Sequence, residues 1–187
     1  LLTYGMQNDD HAFDFRLMSL AKEIIYILIK NINSVEDFED KNMDYVTYSF
    51  NSTAGKVLRA LLDYSLRIGR SDFKREDKEK WSPEMKALFE ETLQKDILDG
   101  HIMMGLYFEQ FYFLDRYWIV EQAKKHYDIE EGKWLPFIHG YVLGNALSSK
   151  DLYELFYPHF DKAIERKIEV KHFHNHGIVR HLTAFYF

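Results

Sequence analysis

The chain has 187 residues, of which 47% are hydrophobic and 17% aromatic, a composition that argues against disorder and is sufficient for a packed core. Its net charge of -6 gives no electrostatic reason to bind nucleic acid or an anionic membrane surface. Because cysteine is absent, disulfides, thiolate zinc sites and cysteine nucleophiles are excluded. We expect a cytoplasmic protein. The missing initiator methionine and the abrupt end predict a fragment of a longer chain.

Apolar residues recur with helical spacing along most of the chain, and strand-like alternation is nearly absent. In the first helix, Leu17, Leu20, Ala21, Ile24 and Leu28 are predicted to form the inward face. Met18, Ile25 and Ile29 widen that face, so burial on more than one side is expected. The predicted helices span approximately 12–32, 52–68, 83–98, 101–127 with a break near Leu114-Asp115, 133–147, 149–167, and 178 onward.

The predicted helices are separated by connections of mixed length. Residues 33–50 are interpreted as a loop with at most a short turn, and the charged stretch 69–81 as a second loop. Asp99-Gly100 is predicted to end the third helix. The sequence therefore predicts an all-α fold, an antiparallel array of about seven or eight helices in TPR- or HEAT-like hairpins, across residues 1–187. No strict 34-residue repeat is present.

The stretch Asn51-Ser52-Thr53-Ala54-Gly55-Lys56 has the Gly-Lys pair of a phosphate-binding loop. Such a loop also needs a first glycine and a hydroxyl after the lysine, and these positions hold Phe50 and Val57. We therefore predict a helix start capped by Asn51 or Ser52, with no nucleotide bound. Ser82 and Ser149 are predicted caps as well, and no Gly-x-Ser-x-Gly motif occurs. No catalytic residue is assigned.

A histidine cluster lies near the end of the chain, where His172, His174 and His176 alternate and His181 follows. Imidazoles are common metal ligands, so a small all-α metalloenzyme that uses the loop from His172 to His176 is one hypothesis. A di-iron bundle requires two Glu-x-x-His motifs, and Glu169 with His172 supplies one copy. Surface and packing histidines are the favoured interpretation, and no metal or cofactor is assigned.

The stretch from Tyr107 to Tyr127 is rich in aromatic residues. Tyr107, Phe111, Leu114, Trp118 and Tyr127 fall near helical spacing, which favours core packing. An exposed aromatic surface for a protein partner is the alternative, because Tyr and Trp are frequent interface anchors. Asp115-Arg116 is expected to form an ion pair or to cap a helix at this point.

Three segments in order resemble a known family. They are "NSTAGKVLRALLDYSLRIGR", "MGLYFEQFYFLDRYWIVEQAKKHYD" and "GKWLPFIHGYVLGNALSSKDLYELFYPHFDKAI". The pattern is Asn-Ser-x-x-Gly-Lys at a helix start, Leu114-Asp115 with Trp118, Trp134 with Gly140-Tyr141, and a final helix from Leu152 to Ile164. It is similar to the C-terminal α-helical region of large prokaryotic antiviral STAND proteins, which are NACHT-like NTPases. The likeness covers about 51–164 and consists of packing motifs.

This resemblance implies a non-catalytic sensor region within a longer antiviral NTPase. The parent would carry an N-terminal effector and a central domain that binds ATP and magnesium. The helical region would recognise a phage protein, such as the portal or the terminase large subunit, and recognition would drive oligomerisation and activate the effector. A generic helical scaffold for another protein partner is the alternative hypothesis. The partner-binding residues are not identified by the sequence.

Overall fold

The computed structural model describes residues 2–7, 10–33, 44–71, 80–144 and 149–166, together with Ile178, His181 and Thr183. These residues form helices and connections without any strand, which confirms the predicted all-α class. A short 3-10 turn, Phe15–Leu17, leads into α2. The helices are α1 (Tyr4–Gln7), α2 (Met18–Lys30), α3 (Tyr45–Asn51), α4 (Thr53–Arg70), α5 (Pro83–Gln94), α6 (Leu98–Leu106), α7 (Phe108–Leu114), α8 (Arg116–Asp128), α9 (Glu131–Gly144) and α10 (Lys150–Glu165).

Side-chain caps fix several helix starts at the predicted positions. Ser52, Ser82 and Ser149 accept hydrogen bonds from the first-turn amides of α4, α5 and α10. Pro83 occupies the first position of α5, where its missing amide hydrogen leaves no bond unmade. Asp115 caps α8 by accepting from the Trp118 amide at 3.0 Å, so the predicted break at Leu114-Asp115 is confirmed.

Two boundary predictions are wrong. Within 33–50, the structure has helix α3, in which the Asp44 side chain accepts from the Thr47 amide and Val46 packs on Ile102. Asp99-Gly100 does not end a helix, because both residues lie in the first turn of α6. The preceding helix ends at Gln94, and Asp96 then adopts a left-handed conformation with φ of 54°. The described residues form ten helices instead of seven or eight, because α1 and α3 were not predicted and the helix predicted at 101–127 is divided at Tyr107 as well as at Asp115.

Helix α4 lies at the centre of the array. Most of its side chains are buried, and it contacts α1, α2, α3, α5, α6 and α7. Arg67 and Arg70 donate to the carbonyls of Phe13 and Met6, which fixes the N-terminal segment against α4. The predicted inward stripe of this helix is largely confirmed, because Val57, Leu58, Leu61, Leu62 and Ser65 are buried and Ile68 is half-buried.

Among the described helices, α6 and α9 cross with their backbones in very close approach. A Cβ atom built on Gly105 would lie 1.9 Å from the Phe137 carbonyl oxygen, and one on Gly140 would lie 2.4 Å from the Ile102 carbonyl oxygen. Only glycine allows two helix backbones to approach this closely. Helices α7 and α8 lie between α6 and α9 in the sequence, so this crossing joins helices that are not consecutive.

An aromatic core joins the second half of the chain. The rings of Tyr141 and Phe156 stack with centroids 3.4 Å apart, and Phe108 meets both rings edge-on. A second group consists of Trp81, Phe89, Phe111 and Trp118. Because these side chains come from helices that are distant along the sequence, their burial ties α5, α7, α8, α9 and α10 into one core.

Candidate functional site

The stretch Asn51 to Lys56 is the joint between α3 and α4. Ser52 Oγ accepts from the Gly55 amide at 2.8 Å, which confirms the predicted helix cap. A Cβ atom on Gly55 would lie 2.0 Å from the Ser49 carbonyl oxygen, so glycine is required by the close approach of α3. Lys56 Nζ donates to the Asn51 carbonyl. The Gly-Lys pair therefore has a structural role at this joint.

The same joint contains a buried carboxyl group. Ser52 Oγ donates to Asp99 Oδ1 at 2.6 Å, and Asp99 is 1% exposed. Burial raises the pKa of Asp99, while the hydrogen bond from Ser52 opposes that rise. Asp99 also lies in the first turn of α6, where a negative charge interacts favourably with the helix dipole. The contact links the N-terminal ends of α4 and α6.

We expect Asp99→Ala to lower the free energy of unfolding by about 2–3 kcal/mol, because the Ser52 hydroxyl loses its charged acceptor in a buried site. Asp99→Asn keeps an acceptor oxygen and removes the burial penalty on a charge, so a change under about 1 kcal/mol is expected. Urea denaturation of both variants at pH 7 tests this. Equal losses in the two variants would show that the hydrogen bond contributes little.

Helix α2 carries two apolar stripes with the same spacing, displaced by one residue. Met18, Ala21, Ile25 and Ile29 are buried and lie on the side that faces α4. The other stripe, which we name the α2 apolar face, is exposed to solvent in the part of the chain that the structure describes. It consists of Leu17, Leu20, Ile24, Ile27 and Leu28, with exposed fractions of 48, 52, 37, 61 and 40%. The predicted inward face was therefore correct at Ala21 and at Met18, Ile25 and Ile29, which were expected to widen it, and wrong at Leu17, Leu20, Ile24 and Leu28.

The charged groups of α2 leave its apolar face uncovered. Lys22 pairs with Glu84 at 2.5 Å, and Lys30 pairs with Glu91, so both lysines point toward α5. The result is an apolar surface along about three helical turns. Contiguous exposed apolar surface commonly marks a binding site for another protein.

The aromatic stretch from Tyr107 to Tyr127 mainly serves the core. Phe111, Leu114 and Trp118 are buried, whereas Tyr107 is half-buried and Tyr127 is 39% exposed. Trp118 Nε1 donates to Glu90 at 2.7 Å, and Lys86 pairs with Asp115 at 2.8 Å. Asp115 thus both caps α8 and pairs with a residue of α5, so the predicted cap is confirmed and its ion pair is with Lys86.

The described residues line at least two surface grooves. A groove of about 540 Å³ runs between α8 and α10, where Val120, Leu152 and Leu155 face the rim ion pair Arg116–Asp151. A second groove, of about 440 Å³, lies between α4 and α7. Its Asp63 is 2% exposed and is held by Arg59 at 3.0 Å and by Gln7 at 3.2 Å. Desolvation by burial raises the pKa of Asp63.

The core contains histidines that the sequence pattern did not distinguish. His101, His126 and His159 are at most 3% exposed, and His101 Nδ1 lies 2.9 Å from His126 Nε2. Burial lowers the pKa of His101 to about 3, and the pKa values of His126, His139 and His159 to about 4. At neutral pH these imidazoles are therefore uncharged, and they act as polar packing groups within the core.

The predicted histidine loop, His172 to His176, lies outside the described residues. His181 is described and buried, with Nε2 3.3 Å from the Val142 carbonyl oxygen. Among the described histidines, aspartates and glutamates, no three side chains are placed to share a metal ion. The described helices include none that is both long and apolar enough to cross a bilayer. Comparisons with protein-family models, with curated proteins and with solved structures found no match to this chain.

Proposed function

We propose that this chain is a non-catalytic recognition region that binds a protein partner through the α2 apolar face. The observation that carries the proposal is the exposed stripe of five large aliphatic side chains on a helix whose opposite side is already packed on α4. Removing such a stripe from water provides most of the driving force for protein association. The partner surface is itself predominantly apolar, because the stripe consists of aliphatic side chains, with the exposed Glu23 at its edge beside Leu20 and Ile27.

The identity of the partner is proposed from the sequence resemblance. If the chain is the helical sensor region of an antiviral STAND NTPase, the partner is a phage protein such as the portal or the terminase large subunit. Partner binding would then promote oligomerisation of the cytoplasmic parent protein, whose central domain binds ATP and magnesium. The capped helix start at Asn51 to Lys56 agrees with a region that holds no nucleotide itself.

We expect Leu20→Lys and Ile27→Lys each to weaken capture of the partner at least tenfold while changing the free energy of unfolding by less than about 1 kcal/mol, because both side chains are more than half exposed. The chain is coexpressed with the phage portal or with the terminase large subunit, and complexes are quantified after affinity purification. Ile164→Lys is the matched control, since Ile164 is 53% exposed on α10.

The same experiment separates the two hypotheses about the partner. Capture of portal or terminase that is lost in Leu20→Lys and retained in Ile164→Lys supports the sensor role. Absence of capture of either phage protein, in a chain extended by its native flanking sequence, would overturn the sensor role. Capture of another protein that remains sensitive to Leu20→Lys would instead support the generic scaffold. Equal capture by all three variants would contradict binding at the α2 apolar face.

A further inference from the structure

Three buried imidazoles connect four helices through hydrogen bonds that fix their tautomers. His126 Nδ1 lies 2.8 Å from the Gln122 carbonyl oxygen, which only accepts, so this nitrogen carries the hydrogen. In the neutral ring, His126 Nε2 therefore carries no hydrogen and can only accept a hydrogen bond. His101 Nδ1, 2.9 Å away, must therefore donate to it. This assignment leaves His101 Nε2 without a hydrogen, and it is buried with no hydrogen-bond partner.

His159 has the opposite tautomer. The Trp134 indole Nε1 can only donate, and it donates to His159 Nδ1 at 3.0 Å. His159 therefore carries its hydrogen on Nε2, which agrees with its hydrogen bond to the backbone of Ala123. The His159 ring thus joins α10 to both α9 and α8. The His101–His126 pair joins α6 to α8.

A further proton on His159 breaks one of these bonds. Protonated His159 would present an N–H to the indole N–H of Trp134, which replaces a buried hydrogen bond by two opposed donors. The His101–His126 bond survives a proton, because His101 Nε2 can take it up while Nδ1 continues to donate. The nearby charged groups do not compensate, because Lys133 faces His101 and His126, and Lys162 faces His159. Asp96 favours the charged form of His101, but it is paired with Lys133 at 2.5 Å.

We infer that His159 is a proton-sensitive connection whose protonation loosens α10 from α9 before the rest of the array unfolds, while the His101–His126 pair continues to hold α8 to α6. The aromatic contacts of α10 with Tyr141 and Phe108 involve no titrating group in this pH range and oppose the loosening. The groove between α8 and α10 would change shape with this connection, since the two helices form its walls. The α2 apolar face lies on a different helix and is not affected.

Hydrogen exchange measured by NMR between pH 6.5 and 5.5 tests this inference. We expect protection factors of the α10 amides to fall about fivefold over this interval for one titrating histidine. Those of the α4 amides should fall as well, but they should stay above the α10 values at each pH, because α4 exchanges only through global unfolding. In His159→Gln, whose side chain keeps one donor and one acceptor but has no titrating group, the fall in α10 should disappear. The NMR chemical shifts of the imidazole nitrogens should show that the hydrogen lies on Nδ1 in His101 and His126, and on Nε2 in His159.

The control is His11→Gln, which replaces an exposed histidine and should leave the fivefold fall unchanged. Two results would overturn the inference. One is that the protection factors of the α10 amides equal those of the α4 amides at every pH. The other is that the protection factors of the α10 amides depend on pH in His159→Gln as they do in the wild-type protein. If His159→Gln does not fold, the wild-type comparison of α10 with α4 and the three tautomers still decide the question.

Discussion

Gly105→Ala should destabilise the protein by at least about 3 kcal/mol, because a methyl group at this position meets backbone and not a movable side chain. Its Cβ atom would lie 1.9 Å from the Phe137 carbonyl oxygen and 2.8 Å from the Tyr141 amide nitrogen. Helices α6 and α9 would have to separate, which would disturb the stacked Tyr141 and Phe156 rings. Urea or thermal denaturation followed by circular dichroism measures the loss.

Gly132→Ala is the matched control for this substitution. Gly132 lies in the first turn of α9, and no atom lies within 4 Å of a Cβ atom built there. Alanine has the higher helix propensity, so stability should be unchanged or raised by up to about 1 kcal/mol. If Gly105→Ala behaved like Gly132→Ala, the close crossing of α6 and α9 would not be a determinant of the fold.

Acidification should unfold the protein between about pH 5 and pH 4, because three fully buried histidines are held neutral in the folded state. Burial lowers the pKa of His101 to about 3 and the pKa values of His126 and His159 to about 4, below the ordinary histidine pKa of about 6.5. Below pH 6.5 the unfolded chain binds more protons than the folded one, so stability decreases as the pH is lowered. The three histidines together lower the free energy of unfolding by about 5 kcal/mol between pH 6.5 and pH 5. This is a large part of the stability of a typical domain.

Urea denaturation at half-unit pH intervals measures this dependence. Glu91→Gln serves as the control, because the pairing of Glu91 with Lys30 and Lys95 lowers its pKa to about 2. The stabilising contribution of Glu91 is therefore lost only at lower pH, and the slope between pH 6.5 and pH 5 should persist in this variant. The raised pKa values of Asp63 and Asp99 act in the opposite direction and reduce the loss. A constant free energy of unfolding across this interval would contradict the burial of neutral histidines.

The sequence predicted helix starts better than helix faces or ends, and the reasons are physical. Ser52, Ser82 and Ser149 cap helices through bonds to amides only three residues away, so local sequence was sufficient. Helix α3 was missed because its β-branched and aromatic residues have low helix propensity. It depends on Val46 packing against Ile102 and Leu106, which are distant in sequence.

The candidate site was difficult to predict for a related reason. In α2, the exposed and the buried stripes each follow steps of three, four and four residues, so periodicity alone could not choose the inward one. No sequence pattern distinguished the buried histidines from the others. His101, His126 and His159 are brought together by the packing of α6, α8 and α10, and their neutral state follows from that packing.

The repeated spacing in α2 has a consequence for its orientation. One residue corresponds to about 100° of helix rotation, so turning α2 by that angle about its own axis would exchange the two apolar stripes. Hydrophobicity alone would barely distinguish these two states. Ala21 distinguishes them, because it is 2% exposed and the rotated helix would place the larger Leu20 side chain in its position. The small side chain of Ala21, together with the pairs that Lys22 and Lys30 make with α5, thus determines which of the two apolar stripes the protein exposes.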